Sequence, residues 1–219
     1  MVEPVNGGAG LRAVKIVETE EKIVRAAADL FLERGYAATT LTDVAEAARV
    51  AARTVYVRFG TKAALMKRVI DVAIVGDTAP IDVLSRDWFQ ASLTASTAAE
   101  RVAAMCRSMR DIMDRAGALF AVGHQAAAVE PEIAAAEQAG REGSRDAVRI
   151  FWSHMEQDGL LPSGCDVSWL SDTTAFLIGA DSYRLMTQIH GWTADAYEEW
   201  LRLSLLRLIL ASADPAEAP

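Results

Sequence analysis

The chain has 219 residues, 52% of them hydrophobic, with 22 Lys and Arg against 30 Asp and Glu for a formal charge of −8. That length is enough to bury one large core or two small ones, and taken whole the acidic balance argues against a polyanionic partner. No apolar run reaches the roughly 18 residues needed to span a bilayer, no basic-plus-apolar leader opens the chain, and Cys106 and Cys165 form no CxxC, so a reducing, cytoplasmic setting with no membrane partner is expected.

The pattern is helical nearly throughout, with no convincing alternating strand. Residues 1–18 are expected to form a flexible arm and 214–219 a flexible tail. The first helix should run from about Thr19 to Arg34. Glu20 and Glu21 enrich its first turn, where negative charge suits the helix dipole. Ile23, Ala27, Leu30 and Phe31 form its buried stripe, Gly35 its C-terminal cap, and Tyr36 should pack back on that stripe.

The segment 40–62, TLTDVAEAARVAARTVYVRFGTK, then reads as two short helices joined by a tight turn. Thr40 caps the first, with Asp43 as capping-box partner, and Val44, Ala45 and Ala48 give it an apolar face. After a break at residues 49–51, a second helix spans Ala52 to Phe59, with Val55 and Phe59 on one side. Arg53, Thr54, Tyr56 and Arg58 are left to face outward. A helix of this size fits the DNA major groove, where Arg can fork onto guanine and Thr can touch a thymine methyl. Charge sorts the same way. Between Ala47 and Ile70 there are six basic residues and no acidic one, and residues 1–75 hold 11 Lys and Arg against 9 Asp and Glu, while the remainder holds 11 against 21. This asymmetry reverses the inference from net charge, because phosphate contact depends on the face presented.

Residues 19–66 resemble the N-terminal DNA-binding domain of the TetR family of one-component transcriptional regulators. The likeness rests on the amphipathic first helix KIVRAAADLFLERGY, then T-x-x-D-V-A-E-A-A, then V-A-x-R-T-V-Y-x-x-F-x-T-K-x-x-L, of which T-V-Y-x-x-F-x-T-K is the most specific part. Two positions depart from the family pattern. Arg49 stands in the turn where Gly is usual and must avoid the left-handed conformation that Gly permits, or bear its cost. Ala51 stands where Ser or Thr usually caps the second helix, a loss of roughly 1 kcal/mol. The resemblance implies Arg53 and Thr54 at base edges, Tyr56 and Lys62 on phosphates, and Arg58 on either, with Thr40, Thr42 and Ala52 completing the contact face. Phosphate contacts position a protein; base contacts specify sequence.

The fourth helix should start at Thr61, carry Leu65, Val69 and Val72 inward, and end at residues 76–80. Residues 67–213 are expected to be a helical ligand-binding and dimerisation domain. Its helices are read over Ala98–Arg115 (broken by Gly117), Leu119–Val129, Pro131 to near Gly159, Val167–Ile178 and onward to Ile189. Thr193 should cap a last helix, with Trp192 and Tyr197 placed as a hydrophobic staple. That last helix is apolar around more of its circumference than one core requires, and a second subunit is the natural cover, with Leu205 and Leu208 at the contact. The resemblance points the same way, to a homodimer through the last two helices. It also implies a cavity in the body; Met105, Met109, Phe120, His124, Phe151, Trp152, Met155, Phe176 and Tyr183 are the candidate lining, although each reads equally well as ordinary core.

No catalytic constellation emerges. His124, His154 and His190 have no partner at metal-ligand spacing, and there is no GxSxG, HExxH or Gly-rich phosphate loop. No cofactor or metal is expected. The sequence reads as an all-α protein with an N-terminal three-helix DNA-binding domain containing a helix-turn-helix. Its expected function is that of a ligand-responsive regulator, a repressor, binding double-stranded DNA at a pseudo-palindromic operator as a homodimer and released by a small hydrophobic effector. The alternative is a DNA-binding regulator with no small-molecule ligand.

Overall fold

The computed structural model describes residues 7–212, with side chains from Val14 onward. Ten α-helices form in chain order: α1 Gly7–Arg34, α2 Leu41–Ala48, α3 Ala52–Phe59, α4 Lys62–Val75, α5 Asp87–Thr94, α6 Ala98–Ala127, α7 Pro131–Gln157, α8 Val167–Leu177, α9 Ala180–Arg184 and α10 Ala194–Ser212. No strand occurs among the described residues, so the all-α expectation holds. No helix among them is long and apolar enough to cross a membrane.

The chain divides into two compact units. The first runs to Ala79 and adds Ala118–Ala136; the second holds Pro80–Gly117 and the residues from Glu137 on. The expected boundary after residue 66 cuts through α4, which stays whole in the first unit. The end of α6 and the start of α7 join that unit because Leu119, Ala126 and Ile133 enter its core, a long-range burial that no local signal announces.

In the first unit, Ile23, Ala27 and Phe31 of α1 are fully buried, with Leu30 close behind. They pack with Leu41, Val44, Ala45 and Ala48 of α2 and with Leu65, Met66 and Val69 of α4. Gly35 ends α1 at φ 77, its N–H donating to the Phe31 carbonyl at 3.0 Å. The Tyr36 ring returns onto Phe31 with centroids 5.9 Å apart. Buried Thr39 closes the same end, its Oγ1 donating to the Gly35 carbonyl at 2.9 Å. The α1 helix starts twelve residues earlier than expected: residues 7–18, read as an arm, are helical, because the glycines there are confined to the first turn. Residues 1–6 and the tail 214–219 lie outside the described residues.

Around the turn the cap chemistry is as expected. Thr40 accepts from the Asp43 N–H at 3.1 Å while the Asp43 carboxylate accepts from the Thr40 N–H at 2.9 Å. Ala51 supplies no side-chain cap to α3. Arg49 does not avoid the left-handed region: it sits at φ 57, ψ 44, the one non-glycine residue with positive φ among those described. The turn between α2 and α3 demands that conformation, and Arg49 bears its cost.

In the second unit the side chains of Phe151, Trp152 and Met155 on α7 are buried. Trp152 Nε1 donates to Thr174 Oγ1 on α8 at 3.0 Å, both residues being fully buried. The α8 and α10 helices run antiparallel. At one end the Tyr197 hydroxyl donates to the Leu177 carbonyl at 2.7 Å, and at the other the Cys165 thiol donates to the Ile209 carbonyl at 3.5 Å. Tyr197, Leu201, Leu205 and Ile209 give α10 a buried stripe at a spacing of four. Thr193 caps that helix through the Ala196 N–H at 3.1 Å, while Trp192 meets Trp200, centroids 6.0 Å apart, where Tyr197 was expected. One long α6 replaces the two helices expected on either side of Gly117. A single Gly costs a helix only about 1 kcal/mol, and here the Tyr183 ring lies 3.8 Å from where a Gly117 Cβ would stand. Residues 81–97 carry a short turn at Val83–Ser85 and α5.

The left-handed Arg49 makes a direct prediction. Arg49→Gly removes the Cβ clash at the turn and should stabilise the first unit by about 0.5–1 kcal/mol, read as a higher denaturation midpoint at unchanged slope. A lower midpoint would contradict the left-handed assignment.

Candidate nucleic-acid interface

The α3 helix presents most of its surface. Val55 is fully buried and is the one buried side chain the helix contributes; Phe59 is half-buried. Arg53, Thr54, Tyr56, Val57 and Arg58 are exposed, with Tyr56 at 50% and Val57 at 76%. Thr42 on α2 is exposed, Ala52 is half-buried, and exposed Thr40 is engaged as the α2 cap. The outward set that the spacing anticipated is therefore outward. Val57 was overlooked: on a helix whose only buried position is 55, its neighbour two residues on must point away from the core. An exposed apolar side chain beside Thr54 suits a thymine methyl.

Two of the expected contacts are engaged within the fold. Lys62, assigned to the DNA backbone, turns its ammonium back to the end of α1. It donates to the Tyr36 carbonyl at 2.7 Å and lies 4.1 Å from the Tyr36 ring centroid. Burial pulls this ammonium below its ordinary range, with the charge of Glu130 opposing. The same burial, with Glu130 accepting from the Tyr36 hydroxyl at 3.3 Å, pushes Tyr36 up to about 12. Arg58, assigned to base or phosphate, pairs with Glu20 on α1. Glu20 also accepts from Arg68 Nε on α4 at 2.7 Å. Burial alone would raise the Glu20 carboxyl, but the hydrogen bonds from Arg58 and Arg68 outweigh it and hold it below its ordinary range. Neither partnership has a local signature, since Glu20 and Arg58 stand 38 residues apart.

The nine candidate lining residues divide between the two units. Phe120 and His124 lie in the 118–136 segment of the first unit and the other seven in the second. His124 is exposed. Phe176 is 74% exposed and is corrected from a lining residue to a surface one. Met105, Phe151, Trp152 and Met155 are buried and Met109 half-buried. Tyr183 donates its hydroxyl to Asp114 at 2.6 Å. The surface opens into a groove of about 270 Å³ lined by Arg145, Arg149, Ser153, Ser168 and Asp172 among others, and another of about 490 Å³ at Glu20, Arg58 and Arg68. None of the nine lines either groove. Leu205 is likewise corrected: it is fully buried in the unit's own core, while Leu208 is half-buried. On α8 and α10 the exposed large apolar side chains are Trp169, Phe176, Leu203 and Leu210.

Residues 23–69, from the α1 stripe through α4, match the family described as bacterial regulatory proteins, tetR family. This segment is similar to the N-terminal DNA-binding domain of the TetR family. Among curated relatives, the HTH-type transcriptional regulator TcmR of Streptomyces glaucescens is 42% identical over 55 residues, 25% of this chain and 24% of that protein. The HTH-type transcriptional repressor Rv3405c of Mycobacterium tuberculosis is 37% identical over 75 residues, 32% of this chain and 40% of that protein. The chain thus spans about a quarter and two fifths of these relatives' lengths. In fold it resembles the TetR family transcriptional regulator PfmR from Thermus thermophilus, with a TM-score of 0.57 at 21% identity over 88% of this chain and 98% of that one.

Proposed function

We propose that this chain is a TetR-family regulator that represses transcription as a homodimer, each α3 entering one major groove of a pseudo-palindromic operator. The observation that carries the reading is the outward row of α3: a cation, a hydroxyl, a phenol and a methyl-bearing side chain around one buried anchor, Val55. Arg53 and Thr54 face base edges, Val57 a thymine methyl, and Tyr56 a phosphate. Thr42 supports the contact from α2. The names of the relatives, a regulator and a repressor, agree with this.

The dimer surface on this reading is the apolar stripe of α8 and α10. Trp169 and Phe176 are seven residues apart, as are Leu203 and Leu210, so each pair stands on one helical face. A contact of this kind around a two-fold axis is self-complementary and matches a two-fold operator.

The regulator is released by a small hydrophobic effector bound in the second unit, where the sulfur-rich and aromatic residues of α6 and α7 would repack around it. A second reading, in which no small molecule is bound, is favoured by one observation: the Trp152 and Tyr183 polar groups are already satisfied by Thr174 and Asp114.

Three experiments follow. Arg53→Ala should relax preference at one base pair per half-site, costing about 1–3 kcal/mol there. Lys62→Ala should instead lower fold stability by about 1–2 kcal/mol; selection from random duplexes and denaturant titration read the two. Phe176→Glu or Leu210→Glu should give a folded monomer in sedimentation at micromolar concentration, whereas Leu205→Glu should unfold the protein. For the effector, a hydrophobic compound that raises the melting temperature must weaken operator binding by the factor by which operator weakens its own binding. A broad screen yielding no such compound decides for the second reading.

A further inference from the structure

A helix of eight residues does not persist alone in water, where about 12–15 residues are needed even for good formers. The α3 helix is also composed largely of weak helix formers, enters from a left-handed Arg49, and lacks a side-chain cap at Ala51. Its inward hold is Val55, with Ala52 half-buried about one turn before and Phe59 half-buried one turn on. The remaining tie to the rest of the first unit is at its last turn. There Arg58 meets Glu20, a residue of α1 three positions before the 23–69 family match. The Glu20 side chain is only 13% exposed, and its second oxygen takes Arg68 of α4. Arg68 in turn donates Nη2 to the Thr78 carbonyl at 2.9 Å, so the carboxylate is itself fixed from the far side. An isolated exposed ion pair contributes little, but a network around a mostly buried carboxylate is the exception.

We infer that Glu20 is a positioning residue for DNA recognition, clamping the C-terminal turn of the recognition helix to α1 and α4 through Arg58. It rests on the reading of α3 as the DNA-contacting helix. Arg58 then works by aiming Arg53, Thr54 and Tyr56 and makes no contact with DNA, and the part of α1 outside the family match helps set how the groove is read.

The test uses the full chain and the duplex that the parent selects from a random pool. Glu20→Gln and Arg58→Gln should each weaken binding to that duplex about fivefold or more. The double variant should be no weaker than either single, and the dependence on salt should keep its slope. In the free proteins, amide hydrogen exchange over residues 55–60 should accelerate in both single variants while α4 stays protected. Arg58→Lys, which keeps the charge at similar volume, should recover part of the binding. The inference is overturned if Arg58→Gln flattens the salt slope by about one contact and Glu20→Gln tightens binding, since Arg58 would then be a phosphate or base contact that Glu20 restrains. It is equally overturned if both variants bind and exchange like the parent. A parent that selects no sequence would sink the proposed function, and the exchange measurement would still decide the clamp.

Discussion

The constraint on which the proposed recognition depends is geometric: α3 must show nearly all of its side chains to a partner and still keep one orientation. Holding it by burial would hide the residues proposed to read, so burial is confined to Val55 and parts of Ala52 and Phe59. The work passes to the neighbours. The α2 helix is rigid because its capping box and its four buried residues fix both its start and its face. The left-handed Arg49 then sets the angle at which the chain re-enters α3. Strain of this kind persists only where the surroundings over-determine it.

Electrostatics follow the same division of labour. The cations of the 47–70 segment are not an undifferentiated basic patch. Lys62 ties α4 to the end of α1, Arg58 and Arg68 grip Glu20, and Lys67 pairs with Asp71 at 2.6 Å. Arg53 on α3 is left to face outward. Specific recognition by one well-aimed guanidinium differs from non-specific attraction by many cations, because bidentate base contacts carry discrimination that phosphate contacts lack.

The second unit is organised by satisfied polar groups inside an apolar mass. Trp152 to Thr174, Tyr197 to Leu177 and Tyr183 to Asp114 each join two helices through one buried or half-buried donor. Aromatic rings extend the same seam: Tyr183 and Tyr197 lie edge to face at 5.0 Å, and Tyr197 reaches Trp200 at 5.6 Å. Where the core ends, α8 and α10 still present Trp169, Phe176, Leu203 and Leu210. These large apolar groups repeat at helical spacing, and they form the face that the proposed dimer would cover.

The sequence by itself determined whatever depends on residues within about one helical turn of each other. The helices around 20–75, the Thr40–Asp43 capping box, the Gly35 cap and the outward row of α3 were all legible, because periodicity and cap chemistry are local. The family resemblance was legible for the same reason, since its motif lies within one short stretch. Only tertiary structure decided the rest. Whether Gly117 breaks a helix depended on packing around Tyr183. Whether Phe176 and Leu205 face inward or outward depended on how α8 and α10 sit against each other, because both helices are apolar on more than one side. That Arg58 and Lys62 are held within the fold depended on Glu20 and Tyr36 arriving from 38 and 26 residues away. A charged side chain carries no mark in the sequence of which distant partner will take it.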